Sequence, residues 1–195
     1  SRWFRGLDVA GDENALKIEW FAPLIRWLRG GFQTKSNNSS ASIGFHLSIH
    51  AGEDYAHPAS GMRHVDETVR FCQMRDGDRL GHALSLGIEP AVWAERQGEM
   101  ILPLDEHLDN LVWLWHHASV LSSRLQLAQQ VLPLLERRIN RFWRESIWWQ
   151  EPNQMNSQSF GATPKDFEML HRMTYMKLGC CDAIAIIVGM SCSMR

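Results

Sequence analysis

The sequence has 195 residues, of which 45 % are hydrophobic and 22 % are charged, the composition of an ordinary globular protein. Twenty basic and 22 acidic side chains leave a formal net charge of −2, which argues against a nucleic-acid partner held by overall charge. The longest uncharged apolar run, residues 183–190, is too short to cross a bilayer, and the first residues do not resemble a signal peptide. We therefore expect a cytoplasmic protein without a membrane partner.

The first part of the chain predicts strands that alternate with helices. We expect strands over residues 3–9, 43–50 and 78–82, and helices over residues 18–28 and 61–74. The first helix should end at Gly30 and Gly31, and the polar residues 33–42 should form a loop. Alternation of this kind builds a parallel sheet or barrel.

The second half of the chain predicts helices, over residues 104–120, 125–149 and 163–178. Pro133 interrupts the second of them, so we expect a kink or a boundary near Leu132. This region is rich in tryptophan, and we expect Trp143, Trp148 and Trp149 to anchor the packing between helices. The pattern predicts an α/β part (residues 1–100), a helical insertion (101–178) and a tail to which we assign no structure (179–195).

Polar residues stand at the ends of all three predicted strands of the first part. The first strand ends at Asp8 and the Gly11 turn, the second at His50 and Glu53, and the third at His82. Because the carboxyl ends of parallel barrel strands converge on one mouth, we expect these groups to face one another there. Imidazole is a good zinc ligand, which makes His50 a candidate metal ligand. Glu53 could deliver a proton beside the metal, and His82 could orient or deprotonate a metal-bound water.

Three further histidines lie close to these positions in the sequence. His46 shares a strand face with His50 by alternation, and we interpret it as a buried histidine with satisfied nitrogens. His57 and His64 flank the loop and helix that follow Glu53, where a solvated position and a place at the substrate rim are both open. We favour the solvated position for both.

Three motifs together resemble the adenosine/AMP deaminase family of metal-dependent hydrolases: LDVAGDE at residues 7–13, HAGE at 50–53 and RLGH at 79–82. The extended forms HAGEDYAHPASGMR and GDRLGHALSLGI resemble in particular large bacterial adenosine-deaminase-like proteins, some of which belong to antiphage (antiviral) defence systems. The resemblance covers residues 3–90 and does not extend to residues 100–195. It implies a TIM-type (β/α) barrel enzyme that uses zinc to deaminate adenosine, or a related purine such as AMP, adenine or a modified base, by hydrolysis.

The resemblance also implies a role for each matching residue. Gly11 corresponds to the glycine that contacts the purine, and His50 to a zinc ligand. Glu53 corresponds to the acid that protonates the purine ring. His82 corresponds to the histidine that acts on the metal-bound water and is not a primary zinc ligand. Asp8 would lie beside the site and act on it through a neighbouring residue.

The sequence departs from the family in three places. The family's His-x-His zinc pair and its later Asp-Asp pair have no counterpart, and Ala83 stands where the family usually has glycine. The resemblance therefore implies a partial barrel, made of the central strands with a helical insertion, that provides one zinc ligand of about four. We expect such a fragment to be inactive alone, and to associate with a second copy or with the remainder of the barrel. The alternative is a non-catalytic scaffold or assembly module built on a degenerate barrel, with the tryptophan-rich helices as its interface.

Overall fold

The structure is a computed structural model that describes residues 4–36, 45–97 and 99–143. The described residues form two compact units, and the division between them falls between Met100 and Ile101.

The first unit is an α/β fold built around a parallel sheet. Its three strands are β1 (Gly6–Val9), β2 (His46–Ala51) and β3 (Arg79–His82), and they lie in the order β1-β2-β3. The alternating side chains Leu47, Ile49 and Ala51 of β2 are each 1 % exposed, as expected for the central strand. The predicted α/β alternation and parallel sheet are confirmed.

The first helix continues past the glycines at which we expected it to end. A 3₁₀ turn (Ile18–Trp20) precedes α1 (Ala22–Ser36), so residues 33–36 are helical, while residues 37–42 of the expected loop lie outside the described residues. Glycine costs a helix only about 1 kcal/mol relative to alanine. The turn before the glycines is held by Arg29, which donates hydrogen bonds to the Asp78 carboxylate (2.6 Å) and to the Gln73 carbonyl (2.7 Å). These contacts outweigh the weak local signal for a helix end.

Helix α2 (Pro58–Phe71) begins and ends three residues earlier than expected. Its start is set by Pro58 in the first turn and by His57, whose Nδ1 accepts a hydrogen bond from the Ala59 N–H at 3.0 Å. Both are local capping features, and the apolar periodicity did not include them.

Two short helical segments after β3 were not predicted. They are a 3₁₀ turn (Leu84–Gly87) and α3 (Pro90–Gln97). No residue of α3 is buried, so the sequence has no apolar stripe that could have indicated it.

The amino-terminal edge of the sheet is tied together by Asp78, which lies just before β3. Its carboxylate accepts hydrogen bonds from the Leu47 N–H at 2.8 Å, from the Arg75 N–H at 2.8 Å and from Arg29. Burial alone would raise the pKa of the Asp78 carboxyl. These hydrogen bonds and the charge of Arg29 together have the larger effect, so the pKa of Asp78 lies below its ordinary value. Asp78 thus joins α1, β2 and the start of β3.

The second unit contains α4 (Leu104–Leu121) and α5 (Gln126–Trp143), which pack on one another. Their shared core is apolar: Leu108, Leu111, Val112, Trp115 and Ile139. Pro133 lies inside α5, so the boundary allowed near Leu132 does not occur and the helix runs on to Trp143, which packs against this core. Residues 144–149, the predicted helix 163–178 and the tail 179–195 lie outside the described residues.

Candidate functional site

The carboxyl-terminal ends of the three strands are neighbours at one edge of the sheet. The register pairs Asp8 with Ser48 and places Ala51 opposite His82. The residues that follow β1, those around the end of β2 and the last residue of β3 therefore meet at this edge, where the sequence predicted a site.

Glu53 lies between two imidazole rings. Its Oε1 is 3.4 Å from the Nδ1 of His50, and its Oε2 is 3.3 Å from the Nε2 of His82. The two rings meet edge to face, with centroids 4.9 Å apart. All three side chains are partly exposed, so solvent and solutes can reach them.

These three residues form a group that could hold a metal ion. Their ligand atoms all lie within 4.8 Å of one another. Residues 4–36, 45–97 and 99–143 contain no second group of this kind. Imidazole nitrogens and carboxylate oxygens are donors that zinc accepts, so the donor set fits a zinc ion.

Two glycines set the position of His50 and the loop after it. A Cβ added to Gly81 would lie 2.5 Å from the His50 Cδ2, so the absence of a side chain on β3 makes room for the ring. Gly52 has φ +76°, and its added Cβ would lie 2.7 Å from side-chain atoms of both Ser85 and Val65. Gly52 is therefore required for the turn that directs Glu53 back toward the strand ends.

The chain leaves β3 in a conformation that is uncommon for residues other than glycine. His82 has φ +58° and Ala83 has φ +48°. The Ala83 N–H donates hydrogen bonds to the carbonyls of Ala51 (3.1 Å) and Gly81 (2.8 Å), which holds this turn against the end of β2. Glycine adopts this left-handed φ more readily than alanine does, so Ala83 lies in a conformation that favours glycine.

The structure adds one residue to the site, Glu13, for which the sequence predicted no role. Glu13, in the turn after β1, accepts hydrogen bonds from the backbone N–H groups of Gly52 (2.8 Å), Glu53 (2.8 Å) and Asp54 (3.1 Å). Its Oε2 also lies 3.3 Å from the Nδ1 of His64. Burial raises the pKa of Glu13, but the contact with His64 and the three backbone N–H groups together lower it to about 2. Glu13 is therefore a carboxylate at all ordinary pH values.

A cavity of about 290 Å³ lies beside the imidazole of His50. It is lined by the turn after β1, by His50 and by one side of α2, including Gly11, Glu13, Glu19, His64 and Glu67. Gly11 has φ +143°, and no atom lies within 4 Å of the Cβ that another residue would place there, so the space beside it is open. Glu53 and His82 are not among the residues that line this cavity.

The wall of the cavity contains buried ionisable groups. Arg63 and Glu67 form an ion pair through two contacts of 2.9 and 3.0 Å inside α2. Glu19 is 4 % exposed, and burial, together with the negative charge of Glu67, raises its pKa to about 7. Its Oε2 accepts no hydrogen bond from the described residues.

The remaining predicted residues are placed as follows. Asp8 lies on β1 with an exposed side chain and does not line the cavity. His46 is exposed at the start of β2, with its Nδ1 3.7 Å from Asp78, so our interpretation of a buried histidine was wrong. His64 is 6 % exposed, and the solvated position that we favoured is wrong, because α2 turns this side chain toward Glu13. His57 is half-buried as the cap of α2, and burial lowers its pKa.

No family model and no curated protein matches this sequence. None of the helices in the described parts of the chain combines the length and the apolar composition that crossing a bilayer requires.

Proposed function

We propose that this chain provides the central strands of a zinc-dependent TIM-type barrel that hydrolytically deaminates adenosine or a related adenine compound. The observation that supports this proposal most is the placement of the Glu53 carboxylate between His50 and His82 at the ends of parallel strands. An acid, a base and a candidate metal ligand lie there within reach of one small reactant. Gly11, at the end of the neighbouring strand, leaves open space for a flat ring.

In this proposal each residue at the strand ends has one task. Of the three candidate metal ligands, only His50 would hold the zinc in this proposal, so that Glu53 and His82 can transfer protons. Bound zinc would supply a Lewis acid that makes a water molecule easier to deprotonate. His82 takes a proton from the attacking water while the water oxygen forms a bond to the carbon that bears the amino group. Glu53 gives a proton to the ring nitrogen next to that carbon.

The protons balance over the whole reaction. The proton on His82 passes to the amino group, which leaves as ammonia when its bond to carbon breaks. The new hydroxyl group returns a proton to Glu53 as the carbonyl of the product forms. One water is consumed, and one ammonia and one oxopurine are produced. Adenosine is thereby converted to inosine, and the two side chains regain their starting states.

The remaining features of the proposal follow from the sequence. The further zinc ligands would come from the rest of the barrel or from a second copy, and the protein would act on a soluble purine in the cytoplasm. A formal net charge of −2 gives no reason to add a nucleic-acid partner.

The test is the conversion of adenosine to inosine by the protein encoded by the full reading frame that contains this sequence, with AMP and adenine as competing substrates. Loss of a carboxyl or imidazole from the proton path costs about 100-fold or more in kcat. We expect Glu53→Gln and His82→Ala to lose that much, and His50→Ala also to lose its zinc. Asp76→Asn, an exposed acid in the loop before β3, is the matched control and should keep full activity. A fully active Glu53→Gln variant would refute the proposed mechanism.

The alternative function is a scaffold or assembly module without catalysis. Two large apolar side chains of α1 favour it, because Leu24 is 54 % and Trp27 is 73 % exposed. Zinc content per chain separates the two functions. One tightly held zinc that is lost in His50→Ala supports the enzyme, whereas freshly purified protein without metal supports the scaffold.

A further inference from the structure

The loop that bears Glu53 is held by a residue from a different strand end. Residues 52–54 follow β2, whereas Glu13 follows β1, about 40 positions earlier in the chain. Its two carboxylate oxygens accept three consecutive backbone N–H groups, those of Gly52, Glu53 and Asp54. Hydrogen bonds to a charged acceptor are stronger than those between neutral groups. The contact is therefore a strong link between the two loops.

The geometry of this link acts directly on Glu53. The N–H groups of Glu53 and Asp54 belong to the two peptide units on either side of the Glu53 Cα, and both donate to the same Glu13 oxygen, Oε1. When both peptide planes are directed at one atom, the φ and ψ angles between them are restricted. The direction of the Glu53 side chain, which starts at that Cα, is then restricted too.

Glu13 is itself held in place. Its side chain is 10 % exposed, and its Oε2 contacts His64 from the buried side of α2. The two loops are also joined in the opposite direction, because the side-chain amide of Asn14 donates to the Asp54 carbonyl at 2.7 Å. The carboxylate is therefore a fixed acceptor and not a mobile surface group.

We propose that Glu13 is a positioning residue, which fixes the backbone of residues 52–54 and thereby places the Glu53 carboxylate between His50 and His82. Among the described residues Glu13 makes no hydrogen bond or ion pair with His50 or His82, and it acts through the loop. The inference rests on the proposed function only for what Glu53 does there. The placement itself can be tested without catalysis.

The first measurement is amide hydrogen exchange of this chain by NMR, in the wild type and in Glu13→Gln. The amide side chain replaces one acceptor oxygen by an N–H donor that repels the backbone N–H groups. We expect the amides of Gly52, Glu53 and Asp54 to exchange about tenfold faster or more. The amides of Leu47 and Ile49 in β2 should keep their wild-type rates, because the sheet remains folded.

Asp12→Asn is the matched control, since it makes the same chemical change one residue earlier. Asp12 is exposed, and its side-chain oxygen accepts a hydrogen bond from the Asn14 N–H, which an asparagine oxygen also can accept. The exchange of residues 52–54 should not change in this variant. If Glu13→Gln unfolds the first unit, Glu13→Asp takes its place. It keeps the charge but is shorter by one methylene, and it should speed exchange at the same three amides.

The second measurement follows Glu53 itself, through the ring signals of His50 and His82 at one fixed pH. If Glu13 places Glu53, the ring signals in Glu13→Gln move toward those of Glu53→Gln. They should not move further when both substitutions are combined. If the role of Glu13 were purely structural, the ring signals of the Glu13→Gln variant would stay at their wild-type positions.

Either of two results overturns the inference: wild-type exchange at residues 52–54 in the Glu13 variants, or ring signals of His50 and His82 that stay at their wild-type positions. Neither measurement depends on turnover. If this chain gives the expected result in both measurements but the full-length protein makes no inosine, the proposed function is refuted. The role of Glu13 in placing Glu53 then still holds.

Discussion

Glu19 is a carboxylic acid in the interior of the first unit, next to the ion pair of Arg63 and Glu67. Its pKa is about 7, against an ordinary value of 4.5, because burial and the charge of Glu67 oppose its ionisation. The raised pKa means that the contribution of Glu19 to stability is complete below pH 4.5. This contribution falls as the pH rises to about 7 and is constant above that value.

We predict from this sign that Glu19→Gln makes the first unit relatively more stable as the pH rises. The free energy of unfolding of the variant minus that of the wild type should increase by roughly 2–3 kcal/mol between pH 4.5 and pH 8. Urea unfolding at the two pH values measures this difference. Glu89→Gln, at an exposed acid, is the control and should show the same difference at both. A difference for Glu19→Gln that does not change with pH would show that this carboxyl is not held in its neutral form.

Strands β2 and β3 pair so that Gly81 leaves room for the His50 ring, and this gives a prediction about the strand pair. In Gly81→Ala the new Cβ would lie 2.5 Å from the ring, so the ring must move. We expect the ring signals of His50 to shift and zinc affinity to fall by about tenfold or more. The free energy of unfolding should change by less than about 1.5 kcal/mol, since an exposed ring edge can give way.

The control for this substitution is Gly87→Ala, because no atom lies within 4 Å of its added Cβ. It makes the same change of side chain close to β3 without a steric conflict. Unchanged His50 signals in Gly81→Ala would contradict the packing of this ring against the strand.

At the level of elements, the sequence was informative where the pattern is local. The strands β1, β2 and β3 were expected within three residues of their observed bounds, because β-branched and apolar runs that end in polar residues are typical of parallel strands. Helix α4 begins at Leu104, as expected. Helix ends were less predictable, because Gly30 and Gly31 break a helix only weakly when tertiary contacts support it.

The site was predictable in its chemical groups but not in its supports. His50, Glu53 and His82 stand at strand ends, so the rule that parallel strands end at one edge was enough to bring them together. Glu13 reaches backbone N–H groups 39 to 41 positions away, and a backbone N–H is the same in every residue, so no sequence pattern indicates it. His64 was misplaced for a similar reason, since its burial depends on a contact with the turn after β1.

For the molecule as a whole, the sheet has two edges. Of the strands that the structure describes, β1 and β3 each pair with one neighbour, β2. An open strand edge presents backbone groups that can pair with another chain. We predict that the chain self-associates, so that its mass by light scattering rises with concentration. A clean monomer at moderate concentration would contradict this.

The hydrogen bonds from Gly52, Glu53 and Asp54 to Glu13 also concern protein design. A designer who grafts the short His50–Glu53 segment onto another parallel sheet would transfer these two side chains without the acid that holds the backbone at Glu53. The smallest portable unit is therefore two strand tips, the segment after β2 and the acidic turn after β1. A library that varies one tip should vary the other with it.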